Sequence, residues 1–199
     1  MATQACDSLS ATVASSSAET VLDRIAQPRL ALAIWQRPVP QALTAPLEEL
    51  DLAGIDDLQI RLELPFTPGT LAAILVARNY PETAAKLLAS DIASLAGRLC
   101  RVSGALKMKV RLEIVETDAC RKFHADFTAL RLITTYLGQG TQWHRAGEPG
   151  TTAQLKAGEV AIFKGRHLLE DPSILHRSPP IEGSGEHRLL LVIDQDRDR

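Results

Sequence analysis

Phe123-His124-Ala125-Asp126 stands just ahead of the apolar run Leu130-Arg131-Leu132-Ile133-Thr134-Thr135-Tyr136-Leu137, and the rest of the chain is read outward from it. On an extended backbone, residues two apart point to the same face. The imidazole of His124 and the carboxylate of Asp126 can therefore converge on one metal ion. A third ligand has to come from elsewhere, and His176 in Ile174-Leu175-His176-Arg177-Ser178-Pro179-Pro180 is the candidate. Two histidines and one carboxylate leave positions open on a metal, the arrangement that suits non-heme iron(II) oxygen chemistry. Taken alone, His124 also reads as an exposed loop histidine and Asp126 as a turn residue before the strand.

The surrounding pattern is mostly strand. Val110, Leu112 and Ile114 alternate with Lys109, Arg111 and Glu113, and Leu58, Ile60, Leu62 and Leu64 alternate with Gln59, Arg61 and Glu63. Both are period-two patterns of half-buried strands. Leu30 to Trp35, Leu130 to Leu137, Val160 to Phe163 and Leu189 to Ile193 are apolar on both faces and short, as buried strands are. Turns fall at Gly138-Gln139-Gly140, at Ala157-Gly158 and at Glu182-Gly183-Ser184-Gly185. One long helix is expected from Pro81 to about Cys100, burying Leu88, Ile92, Leu95 and Leu99, with Gly104 ending it. One or two helical turns are expected over Leu47 to Leu52. Several short strands separated by turns imply an α+β, mainly β fold, a barrel or jelly roll rather than βαβ units.

The chain has 199 residues, 45% of them hydrophobic and 23% charged, with a formal net charge of -2. That length suits one core with a supporting extension. The Ser-, Thr- and Ala-rich residues 1–20 have little to bury, so they are expected to be a disordered tail. Residues 21–199 are expected to be one domain, with helical and strand support over 21–105 and the β core over 106–195. The charge balance is no reason to expect nucleic acid or a membrane as partner. A small molecule or a protein is expected as substrate. No apolar run reaches the roughly 20 residues of a membrane span, and the first residues lack a secretory pattern, so the cytoplasm is the expected location. Cys6, Cys100 and Cys120 show no disulfide spacing.

Arg188 opens the last strand. If Ile174 to Ser178 and Glu186 to Ile193 form a hairpin about Glu182, His176 and Arg188 lie opposite one another and share a face. A guanidinium inside a barrel needs an anion. Glu170 or Asp171 can supply it, or a bound carboxylate such as that of 2-oxoglutarate.

These segments resemble the iron(II)/2-oxoglutarate-dependent dioxygenases, especially the prolyl 4-hydroxylase-like branch. The resemblance covers roughly residues 110–195 and rests on His124-Ala125-Asp126, Arg131 to Leu137, Leu155 to Phe163, Leu175-His176-Arg177-Ser178 and His187-Arg188-Leu189-Leu190. It implies a double-stranded β-helix, with Fe(II) on His124, Asp126 and His176 and the far carboxylate of 2-oxoglutarate on Arg188, helped by Tyr136. The usual Gly-Gly-Glu-Thr-type segment is replaced by Gly138 to His144, so the substrate does not carry over. The chain is also similar to an uncharacterised bacterial family associated with zinc-responsive gene neighbourhoods, which implies Zn(II) in a non-catalytic metal-handling or sensing protein as the alternative.

Cys120 lies four residues before His124 and is compatible with zinc if the segment folds back. It also reads as an ordinary loop cysteine. Trp143 and His144 are expected either to line a substrate mouth or to pack on the barrel edge. Tyr136 is expected to face either the co-substrate or the core.

Overall fold

A computed structural model describes residues 12–148 and 150–196. The chain begins with β1 (Val13–Ser16), a 3-10 helix over Glu19–Ala26, β2 (Leu32–Trp35), α1 (Gln41–Glu48) and β3 (Leu58–Glu63). Next come α2 (Pro68–Val76), α3 (Glu82–Ser103), β4 (Lys107–Val115), β5 (Leu130–Leu137) and β6 (Gln142–Arg145). The last elements are β7 (Ala153–Gln154), β8 (Val160–Lys164), β9 (Ile174–Arg177) and β10 (Arg188–Gln195). The strands form a seven-stranded sheet in the order β1-β2-β8-β5-β10-β4-β3 and a three-stranded sheet in the order β7-β6-β9. All pairs are antiparallel except β1 with β2.

The large sheet is covered on both faces. One face, carrying Leu132, Ile162, Leu189 and Leu191, packs on α3 through Leu88, Ile92, Leu95 and Leu99, all four of them fully or almost fully buried. That helix runs to Ser103 and ends on Gly104, whose φ of 69° is the left-handed conformation glycine adopts without penalty. The opposite face, carrying Ile133, Ala161, Phe163 and Val192, packs on Trp143, Leu155 and Ile174 of the small-sheet side. His176 and Trp143 lie in this second layer, between the sheets.

Three expectations are corrected here. The chain is already in a strand at Val13, because β1 pairs in parallel with β2 from Val13↔Leu32 to Ser16↔Trp35. The backbone bonds of that edge, with Val21, Leu22 and Ile25 buried beneath it, order a stretch poor in large apolar residues. The rest of the expected tail, residues 1–11, lies outside the described residues. Secondly, α1 starts at Gln41 and carries Pro46 within it, where a helix beginning after that proline was expected. α2 has no counterpart among the expected elements, although Thr67, which accepts a bond from Thr70 N, and Pro68 at its start are an N-terminal signal.

The third correction concerns pairing. β9 and β10 do not form a hairpin. β9 joins β6, with Trp143 opposite His176, whereas β10 lies between β5 and β4 in the other sheet. The connection crosses from one sheet to the other, held by Asp118, whose carboxylate accepts from Ile181 N at 2.8 Å and Glu182 N at 2.9 Å.

Candidate metal centre and anion pocket

His124 and His176 face each other directly. The His124 N–H donates to the His176 carbonyl at 3.0 Å and the His176 N–H to the His124 carbonyl at 2.9 Å, an isolated two-bond bridge. This pairing brings the loop before β5 against the free side of β9. Asp126 follows two residues later with its side chain on the same side. Asp126 Oδ1 is 3.5 Å from His124 Nε2, and Asp126 Oδ2 is 3.1 Å from His176 Nε2. Ligand atoms of the three residues all lie within 4.8 Å of one another. Cys120 is not in this group.

The donor set fits a cation. His124 Nδ1 is 2.8 Å from the Lys122 carbonyl, which can only accept, so Nδ1 carries the hydrogen and the neutral ring turns the lone pair of Nε2 toward Asp126. Asp126 Oδ2 is buried and has no hydrogen-bond partner. Burial pushes the Asp126 carboxyl upward, but the adjoining His124 and His176 rings and the charge of Arg131 outweigh it and hold the acid far below its usual range. Burial keeps His176 below the ordinary histidine value, while the more exposed His124 is raised by its contact with Asp126. An anionic oxygen and two imidazole nitrogens therefore converge on one point.

Arg131, absent from the expected site residues, holds this arrangement. Its Nη1 donates to Asp126 Oδ1 at 2.5 Å, while Nε and Nη2 grip Asp194 at 2.7 Å each. Arg131 and Asp194 are cross-strand partners in the β5–β10 register. Opposite charges inside two otherwise apolar runs are the signal that marks them in the sequence. One Asp126 oxygen is thus committed to Arg131 and the other is left for an ion. Gly165 closes the same corner: a Cβ there would meet Thr128 O at 2.2 Å and Asp126 O at 2.6 Å. Gly165→Ala is expected to displace the Asp126 backbone, lower metal affinity and cost about 1–3 kcal/mol, to be read by urea unfolding alongside metal titration.

Arg188 is 0% exposed, in the same layer between the sheets. Its Nε donates to the Gln139 carbonyl at 2.5 Å, Nη1 to Ser178 Oγ at 2.8 Å and Nη2 to Thr135 Oγ1 at 3.4 Å. Among the described residues no carboxylate pairs with it, neither Glu170 nor Asp171. Burial pulls its pKa down to about 10. The structure thus keeps a guanidinium in its interior on neutral acceptors only, and Ser178, two residues beyond His176, links it to β9.

Other expected site residues lie elsewhere. Tyr136 is 1% exposed and its hydroxyl donates to Asp91 of α3 at 2.7 Å, within a network in which Arg37 also grips Asp91 at 2.7 and 2.8 Å. It belongs to the helix-facing layer, across the sheet from Arg188, because it shares a face with Leu130 and Leu132. It cannot reach a ligand on Arg188. His144 is buried on the outer side of the small sheet, its ring edge-on to Phe123 at 4.2 Å, so it does not line the site. Trp143, opposite His176, does share its face and packs in the layer between the sheets. Cys120 is exposed, with its carbonyl accepting from Ser178 N at 2.9 Å.

The family described as protein of unknown function DUF1826 matches residues 16–194. The chain is a member of the DUF1826 family. No curated protein is similar to it in sequence. Its fold is shared by solved oxygenases. The dioxygenase for auxin oxidation of rice aligns at a TM-score of 0.52 and 12% identity, over 92% of this DUF1826 chain and 82% of the rice protein. JOX2, solved in complex with 2OG, Fe and JA, aligns at 0.51 and 11% identity, over 94% of this chain and 74% of its own. A prolyl-4-hydroxylase of Pseudomonas putida aligns over 92% of this chain and 100% of its own, at 14% identity and a TM-score of 0.49. At that score it does not favour the prolyl 4-hydroxylase branch over the others. Among the described residues of the DUF1826 chain, no helix is long and apolar enough to cross a membrane.

Proposed function

We propose that this chain is an iron(II)- and 2-oxoglutarate-dependent oxygenase of the double-stranded β-helix type, acting on a small-molecule or protein substrate. The observation that carries the reading is the pairing of two features in one layer: a His124–Asp126–His176 group with a free carboxylate oxygen, and a buried Arg188 with no carboxylate partner. Each is costly by itself. A buried cation on neutral acceptors is stabilised when a ligand brings its counter-charge, and 2-oxoglutarate carries a chelating keto acid at one end and a carboxylate at the other. The shared fold with an auxin-oxidising dioxygenase and with an Fe- and 2OG-bound protein supports the same reading.

The roles follow from the contacts. His124, Asp126 and His176 would hold the iron, and His124 is kept in the required tautomer by the Lys122 carbonyl. Arg131 would fix Asp126 as a ligand through one oxygen. Arg188 would bind the far carboxylate of 2-oxoglutarate through the donors now on Ser178 and Thr135. Iron(II) with 2-oxoglutarate supplies oxidative decarboxylation to succinate coupled to hydroxylation of a C–H bond. The apolar packing of Phe163 and Trp143 around His176 keeps bulk water from the inner side of the group.

Anaerobic loading with iron(II), then addition of 2-oxoglutarate and oxygen, tests the proposal: succinate is the expected product, and its absence would refute the reading. Zinc favours thiolate ligands, and Cys120 lies outside the ligand group. Cys120→Ser is therefore expected to leave iron and zinc affinities within about twofold of the native values, since it removes no ligand. X-ray absorption should show no sulfur neighbour of the bound metal before or after the substitution.

A further inference from the structure

On the helix-facing side of β8, across the sheet from the metal group, lies a cavity of about 440 Å³, within the size range of small-molecule sites. Ile25, Pro28, Val102, Leu130 and Leu169 give it apolar walls, together with Leu168, which is 47% exposed. Three residues lend polarity: Lys164, Ser103 and Gln195. Lys164 is only 9% exposed. Its ammonium donates to the Gln27 carbonyl at 2.6 Å and the Pro28 carbonyl at 3.3 Å. An ammonium has three protons, so one donor is left over. Among the described residues no carboxylate pairs with Lys164. Gln195 Oε1 is buried and has no hydrogen-bond partner.

We propose that this cavity is a second ligand site, separate from the metal centre, that takes a small organic acid with a short apolar tail. The carboxylate accepts the third proton of Lys164 and supplies the missing counter-charge. The tail lies along Leu168 and Leu169 and takes their apolar surface out of water. A hydroxyl or amide group on the acid donates to Gln195 Oε1 and relieves the buried acceptor. Burial of Lys164, which lowers its pKa, is consistent with a site that lacks its anion. Nothing in this assignment depends on the oxygenase reading.

Calorimetric titration of the full-length protein with hexanoate tests it, with 1-hexanol as the uncharged control. Hexanoate is expected to bind saturably and equally well to the native protein and to His176→Ala, and 1-hexanol roughly 10- to 100-fold more weakly. Lys164→Met should weaken hexanoate by a similar factor. Because that variant also frees two backbone carbonyls and can unfold, Ala26→Trp provides a second arm: Ala26 lines the cavity and is exposed, so an indole there fills the space while Lys164 keeps its place in the sequence and its carbonyl partners. Hexanoate binding should be lost in Ala26→Trp as well. No saturable binding to the native protein, or binding that survives Ala26→Trp or a folded Lys164→Met, would overturn the proposal, as would binding that disappears in His176→Ala.

Discussion

His176→Ala is expected to lower iron(II) affinity by at least about 100-fold, more than the loss of an outer-shell partner costs, and to abolish succinate formation. The reason is geometric. His176 is the ligand most deeply set, 5% exposed between Phe163 and the His124 ring, and it alone faces the free Asp126 oxygen at 3.1 Å. The fold should survive, because the two apolar layers on either side of the large sheet do not depend on an ion. A loss of about 0.5–3 kcal/mol is expected from removing a buried ring that packs on Phe163 and His124. Metal content by mass spectrometry, set beside the cooperativity of urea unfolding, checks both halves. Full metal content in a folded His176→Ala protein would exclude the three-residue site.

Arg188→Met should show the opposite pattern: metal retained, 2-oxoglutarate affinity reduced by roughly two to three orders of magnitude, as when one partner of a buried charge pair is truncated. The sign of the stability change separates this from damage to the fold. Arg188 has a folded-state pKa of about 10, below the ordinary 12.5. Between those values the unfolded chain binds more protons, so stability rises with pH across that window, and below pH 10 the charge is a standing cost to the ligand-free fold. Removing that cost offsets the lost bonds to Gln139, Ser178 and Thr135, so the melting temperature without ligand should not fall. In the native protein 2-oxoglutarate should raise that temperature, and in Arg188→Met it should not. Equal stabilisation of both proteins by 2-oxoglutarate would remove Arg188 from the anion pocket.

Much of this was legible locally. The helix-period stripe Leu88, Ile92, Leu95 and Leu99 is buried on α3, and the alternation over 107–115 is β4, because one face of each element has a single apolar layer to meet. His124 and Asp126 share a side because the separation of two residues sets direction on an extended backbone wherever that backbone goes. Local pattern does not carry information about which strands become neighbours. The β9–β10 hairpin expected from the sequence depends on the path of residues 178–187, and long-range bonds such as those to Asp118 decide that path.

The same limit separates Tyr136 from Arg188. β5 is apolar on both faces, so alternation states that Tyr136 and Arg131 point opposite ways but not which of them points to the metal. The irregularity opposite Leu189 and Leu190, where Tyr136 has no cross-strand partner, adds a local shift that no period reveals. Sequence alone determined the elements with a clear period, such as α3, β3 and β4, the helix face and the His-x-Asp pair, since these depend on neighbours within a few residues. The tertiary structure alone decided that Arg131 clamps Asp126, that Tyr136 belongs to α3 and that Arg188 stays buried without a counter-ion, because each depends on which distant side chain packing brings within about 3 Å.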